Sequence, residues 1–187
     1  MHSAVTNLDG LTIRLARLDD AERLWSWRND PHTRRASHNT DAIAYDQHTR
    51  WFERRLSRND SVILIAELHG EAIGTVRFDR RRDSYLEVIV NIAPQARSKK
   101  LGAACLRAAC NFVLKKEAAG FHAEIRLENT ASIRIFQQCG FHKFGSKGGF
   151  LLFRRERTHA AENCIAVHRA RPAAARAARF ARKKKSA

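Results

Sequence analysis

A chain of 187 residues with 44% apolar content can bury one core with an appendage, and two full domains would be crowded. Its net charge of +16 and pI near 10.8 point to acidic partners: nucleotides, phosphorylated ligands, nucleic acid or a membrane surface. From Arg157 onward nine Lys or Arg stand against the single acid Glu162, so this tail carries +8, half the excess, and the body is only moderately basic.

Leu11 to Ala16 alternates like a first strand, and Asp19 or Asp20 is placed to cap a helix running to about Arg28 and stopped by Asn29-Asp30-Pro31. Asp46 is placed to cap a second helix through Leu56, with Trp51, Phe52 and Arg55 near one another on its surface. Ser61 to Leu68 and Ala72 to Asp79 are two β-branched apolar runs about His69-Gly70-Glu71, which predicts an antiparallel hairpin. Tyr85 to Ile92 is a fourth strand. Leu101, Ala104, Cys105, Ala108, Ala109, Phe112 and Val113 recur at helical spacing, predicting a helix over about Lys100 to Glu117 with a continuous apolar face. His122 to Leu127 is a fifth strand and Asn129 to Cys139 a fourth helix. Phe141 to Ser146 and Phe150 to Arg154 form a closing hairpin through Gly148-Gly149. Hairpins joined to a central β-α-β unit predict an α/β (α+β) fold with a mixed sheet and helices on both faces.

Residues 1–156 are therefore expected to form one domain. The Ala/Arg/Lys-rich tail, 157–187, is expected to be disordered or weakly helical, as a solvated appendage or an electrostatic tether to nucleic acid or a membrane surface. The cysteines, Cys105, Cys110, Cys139 and Cys164, show no C-x-x-C pair, so neither a metal site nor a disulfide framework is expected. With no apolar leader in Met1 to Gly10 and no run of membrane-spanning length, a reduced, cytoplasmic setting follows by default.

The segment from Asn91 to Cys105 passes from an apolar strand through a short basic loop into a helix. Unpaired N–H groups and the positive end of the helix dipole then converge on one place, which suits a phosphate-bearing ligand.

This order of elements resembles the GNAT superfamily of acetyl-CoA-dependent N-acetyltransferases over roughly residues 11–155. The family's loop reads R/Q-x-x-G-x-G/A, matched by Arg97-Ser98-Lys99-Lys100-Leu101-Gly102, with Lys100 in place of the first glycine. A later motif, an asparagine opening a helix that ends in C-G-F, is matched by Asn129 through Cys139-Gly140-Phe141. Trp27-Arg28-Asn29-Asp30 and His48-x-x-Trp51-Phe52 resemble a branch that includes acetyltransferases of nucleotide-linked amino sugars; protein N-terminal acetyltransferases share the body plan.

The resemblance implies a mostly antiparallel sheet of six to seven strands and no metal. Acetyl-CoA would be held by Asn91, Ile92, Arg97, Ser98, Lys99, Lys100, Leu101, Gly102, Ala103, Asn129 and Ser132. It also implies direct transfer to a small-molecule amine, with Glu87 as the catalytic carboxylate and Trp27, Arg28 and Asn29 lining the acceptor pocket. Other readings stand beside these. Glu87 also fits a cross-strand partner of an arginine such as Arg77, Asn129 a helix cap, the tryptophans core packing, and His48 a surface or packing role. Phe136 stands where many relatives place a tyrosine that protonates the leaving thiolate, and it reads most simply as core. A non-catalytic acyl-CoA-binding or basic nucleic-acid-associated module is the alternative function.

Overall fold

The computed structural model describes residues 8–113 and 118–157. Seven strands form one sheet in the order β1-β2-β3-β4-β5-β7-β6. They are β1 (Leu11–Leu15), β2 (Ser61–Leu68), β3 (Glu71–Arg80), β4 (Tyr85–Ile92), β5 (Gly120–Arg126), β6 (His142–Lys147) and β7 (Phe150–Glu156). Only β4 and β5 pair in parallel, so the mostly antiparallel mixed sheet expected from the sequence is present. The helices are α1 (Ala21–Asn29), α2 (Pro31–Ala36), α3 (Tyr45–Leu56), α4 (Gly102–Val113) and α5 (Thr130–Gln138). The expected basic tail beyond Arg157 lies outside the described residues.

Local chemistry explains the turns. His69 and Gly70, at φ 51° and 84°, join β2 to β3, and Gly148 and Gly149, at 56° and 80°, join β6 to β7. Both are two-residue loops with positive φ at each position, the geometry whose twist matches antiparallel strands. Gly140, at φ 80°, ends α5, while the Phe141 N–H returns to the Phe136 carbonyl at 3.1 Å.

Five expectations are corrected. Pro31 does stop α1, but it also opens α2: it sits in the first turn, where its missing N–H costs nothing, and Asp30 caps the new helix by accepting from the Thr33 N–H at 3.0 Å. Ala44, not Asp46, is the N-cap of α3; Asp46 lies in its first turn and pairs with Arg50 at 2.8 Å. Phe52 is wholly buried rather than on the surface. In α4 the helix begins at Gly102, because Lys100 at φ 59° is not helical. Its buried face is Gly102, Ala103, Cys105, Leu106, Ala109, Cys110 and Val113, while Phe112 is exposed. That face is rotated from the expected one because α4 packs on the sheet and on α5 together.

Two apolar clusters sandwich the sheet. Leu64, Val76, Phe78, Val88 and Phe121 meet α4 and α5 on one face; Ile63, Ile65 and Ala66 meet Trp27 of α1 and Phe52 of α3 on the other. Among the described residues no helix is long and apolar enough to cross a membrane, and no group of three or more His, Cys, Asp or Glu is placed to hold a metal ion. Cys105, Cys110 and Cys139 are free and buried; burial pushes the Cys105 thiol up to about 11 and the Cys110 thiol to about 12, so both stay protonated.

Candidate active site

The site begins where the parallel pair comes apart. Tyr85, Leu86 and Glu87 of β4 stand opposite Gly120, Phe121 and His122 of β5, and the pairing then stops although both strands continue. Val88 to Ile92 and Ala123 to Arg126 therefore border an opening. The Ala93 N–H donates to the Ile73 carbonyl on β3 at 2.9 Å, so by the alternation of a strand the peptide groups of Ile92 face the opening and those of Asn91 face β3. Of the two residues expected to pair with the cofactor's amides, Ile92 alone presents its backbone there. Its carbonyl accepts from Arg97 Nε at 3.2 Å. A chain bearing amides can enter such a gap as an added strand.

Below the opening lies the loop before α4. Ser98 and Lys100 both adopt positive φ, 62° and 59°, so Lys100 takes the left-handed conformation for which a glycine was expected. The first hydrogen bond of α4 runs from the Cys105 N–H to the Leu101 carbonyl at 3.0 Å. The N–H groups of Gly102, Ala103 and Ala104 precede it and need other acceptors. Ser98, Lys99 and Lys100 are exposed around them, and together they fit the pyrophosphate of a coenzyme.

Two residues of this loop have structural duties. Arg97 turns away from the anion position: Nη1 donates to Asp30 Oδ1 at 2.6 Å and Nη2 to Thr33 Oγ1 at 2.7 Å. At Gly102 a Cβ would stand 2.5 Å from Ile135 Cδ1, so the missing side chain lets α4 approach α5 closely. Asn129 caps α5, its Oδ1 accepting from the Ser132 N–H at 3.1 Å. Phe136 is buried and meets Phe141 edge-on at 4.9 Å.

Glu87 lies at the point where the strands part, on the α1/α3 face of the sheet, with Asp79 across β3 and His122 across β5. Its partner is Arg81, whose Nη1 is 3.9 Å away; Arg77 instead pairs with Asp79 at 2.9 Å and stacks under Trp51 at 5.3 Å. With a side chain 30% exposed, Glu87 is open to solvent while anchored. Sequence reasoning missed His122. It is buried with Nδ1 unpartnered, and burial, together with Arg81, pushes its imidazole below the ordinary value, keeping it neutral near pH 7. Strand alternation gave a signal that His122 points to one face; only the register says it is Glu87's.

The expected acceptor residues divide. Trp27 is 4% exposed and belongs to the core. Asn29 uses both ends of its amide on Ile43, donating to its carbonyl and accepting from its N–H, each at 2.8 Å. Arg28 alone is left with capacity: Nη2 donates to the Asn39 carbonyl at 2.7 Å, and Nη1 is buried without a partner. His48 is buried beside Trp51 and Phe52. The segment Ser37 to Asn39 crosses from α2 to the far rim of the opening. There His38 stacks on Phe150 at 3.8 Å and pairs with Glu124 of β5 at 3.3 Å, while Arg126 donates to the Ser37 carbonyl at 2.9 Å.

A search of curated proteins by sequence finds no match. Solved structures share the fold. The chain is similar to yncA of Salmonella typhimurium, solved with acetyl-CoA, at 22% identity over 81% of this chain and 96% of that one, with a TM-score of 0.67. It is similar to spermidine N-acetyltransferase of Vibrio cholerae, solved with CoA and spermine, at 15% identity over 78% and 93%, with a TM-score of 0.68. Aminoglycoside acetyltransferase AAC(6')-Ib, solved with coenzyme A and kanamycin, is 19% identical over 87% and 99%, with a TM-score of 0.70. The model of the GNAT acetyltransferase domain matches residues 10–142, and the chain belongs to that family.

Proposed function

We propose that the protein transfers the acetyl group of acetyl-CoA directly to a primary amine of a small molecule, within a ternary complex, with Glu87 or a water it orients taking the amine proton. The observation that carries this reading is the parting of β4 from β5 directly above an uncapped helix N-terminus, with Glu87 at the point of parting. Acetyl-CoA supplies the activated acyl group: the amine nitrogen bonds to the thioester carbonyl carbon, the carbon–sulfur bond breaks, and one amine proton is released. Ile92 binds the cofactor's amide chain through its backbone, and Ser98 to Ala103 hold its pyrophosphate. Glu87 accepts the proton, with Arg81 Nη1 3.9 Å from its carboxylate. With Phe136 in the core, no tyrosine stands in α5 to protonate the thiolate; a thiolate of ordinary pKa near 8.5 leaves unaided.

A nucleotide-linked amino sugar is the acceptor that the Trp27 to Asp30 and His48 to Phe52 motifs support. The solved relatives bind polyamine and aminoglycoside acceptors instead, so acceptor chemistry varies on this fold. Calorimetry with acetyl-CoA followed by thiol release over amino sugars, polyamines and peptides tests the reading. Saturable acetyl-CoA binding with turnover of at least one amine is expected, and Glu87→Gln should lower kcat by about 100-fold or more. Absence of acetyl-CoA binding, with saturable nucleic-acid binding in its place, would overturn it; unchanged turnover in Glu87→Gln would remove Glu87 as the base.

A further inference from the structure

Among the described residues, three arginines along the rim of the opening, Arg28, Arg34 and Arg126, have no carboxylate partner. Arg28 reaches the Asn39 carbonyl from α1, and Arg126 reaches the adjoining carbonyls of Ser37 and His38 from β5, at 2.9 and 3.5 Å. Arg34 lies close enough to Arg28 that, after burial itself, its charge is what pushes the Arg28 guanidinium below its ordinary value. Nη1 of Arg28 and Nε of Arg34 are buried with no hydrogen-bond partner. The carboxylate of Glu124, on the same strand as Arg126, lies 3.3 Å from His38 Nε2. Elsewhere the cleft's arginines are paired: Arg97 with Asp30, Arg77 with Asp79, Arg81 with Asp83 and Glu87. A guanidinium offers five donors and no acceptor, and backbone carbonyls supply dipoles but no countercharge. Burying like charges with donors unspent is unfavourable unless an anion completes the set.

We propose that the acceptor carries a phosphate or carboxylate group besides its amine, and that Arg28, Arg34 and Arg126 bind that group at Ser37 to Asn39. This rests on the amine acetyltransferase reading. The incoming anion replaces the Asn39 and Ser37 carbonyls as acceptor, and the planar forks of Arg28 and Arg126 suit its paired oxygens. Arg126 lies on the same face of β5 as His122, which is in register with Glu87 on β4. Anion and amine thus bind at opposite ends of one face. The same three cations disfavour a polycation such as spermine.

The test compares matched amines in thiol release: glucosamine 6-phosphate against glucosamine, 4-aminobutyrate against butylamine, and spermine as polycation. The anionic member of at least one pair should have the higher kcat/KM, the pair identifying phosphate or carboxylate. In Arg28→Gln and Arg126→Gln that preference should shrink by about 10- to 100-fold, the value of a charge-assisted contact, with acetyl-CoA affinity retained by calorimetry. Preference for the uncharged members or spermine, or an equal fall on both members of every pair, overturns the proposal. Should acetyl-CoA fail to bind, the enzyme reading falls by itself, and the anion corner is judged by titrating inorganic phosphate against the arginine Nε–H resonances. Saturable shifts of Arg28 and Arg126 in the millimolar range support it, and their absence refutes it.

Discussion

Arg97 and Asp30 are joined at 2.6 Å across 67 residues of sequence, and this contact fastens the start of α2 to the end of β4. Arg97 spends its three donor nitrogens on Asp30, Thr33 and Ile92. The pair is roughly three-quarters buried, at 26% and 20% side-chain exposure. Arg97→Ala should cost about 2 kcal/mol of stability in urea unfolding. Arg97→Lys should rescue little of it, since an ammonium cannot span three fixed acceptors.

Gly102 sets how closely α4 approaches α5. The added methyl of Gly102→Ala would meet Ile135 Cδ1, the end of a flexible side chain, so the cost should be moderate, about 1 kcal/mol after the gain in helix propensity. Removing that Cδ1 with Ile135→Val should restore much of it, and a double-mutant cycle by thermal unfolding measures the coupling.

Lys100 holds a conformation that costs a residue with a Cβ about 1 kcal/mol. Lys100→Gly should leave stability within about 0.5 kcal/mol of the parent, because the relief is offset by glycine's greater unfolded freedom. It should nevertheless weaken coenzyme A binding by several-fold in calorimetry at low salt, and less at high salt, through the loss of an ammonium beside the phosphates.

His48 and His122 are both buried, and for each burial is the leading cause that pushes the imidazole below its ordinary value, Arg28 adding to it at His48 and Arg81 at His122. The unfolded chain then binds protons that the folded chain refuses, so stability is full above about pH 6.5 and declines as pH falls below it. His48→Phe, which keeps the packing against Trp51 and Phe52, should flatten the dependence of the urea midpoint between about pH 5 and 7.

Asp20 behaves in the opposite range. Burial pushes its carboxyl up, but the Arg14 fork, at 2.7 and 2.8 Å, and the Arg17 N–H outweigh it and hold it below the usual carboxylate value. The stability it contributes is present above about pH 3.9 and is lost as pH falls through the folded-state value. Asp20→Asn leaves Arg14 with Glu67 as its one carboxylate partner, beside the Leu15 carbonyl. It should cost about 3 kcal/mol at neutral pH, and the deficit should narrow in acid.

Elements with local causes were legible in the sequence. The His69-Gly70 and Gly148-Gly149 turns, the apolar runs of β2 to β4 and the Asn129 to Phe141 motif depend on neighbours within a few residues. α2 was not, because Pro31 stops one helix and starts another, and only the Asp30 cap decides between them. Nor was the face of α4, which depends on what packs against it. Glu87 could be placed on a strand, but its neighbours Asp79 and His122 come from the sheet register. The same is true of Arg97, a motif residue whose partners lie in an element that the sequence reading did not contain.

Because β4 and β5 share only three paired positions, the seven strands fall into two leaves, β1 to β4 and β5 with β7 and β6, joined along Tyr85 to Glu87. The leaves are wedged from behind by one apolar cluster, in which Phe78 of the first touches Phe121 of the second and Phe121 touches Phe141. Those three rings lie on the α4/α5 face of the sheet, so the packing that spans the two leaves sits on the face opposite Glu87.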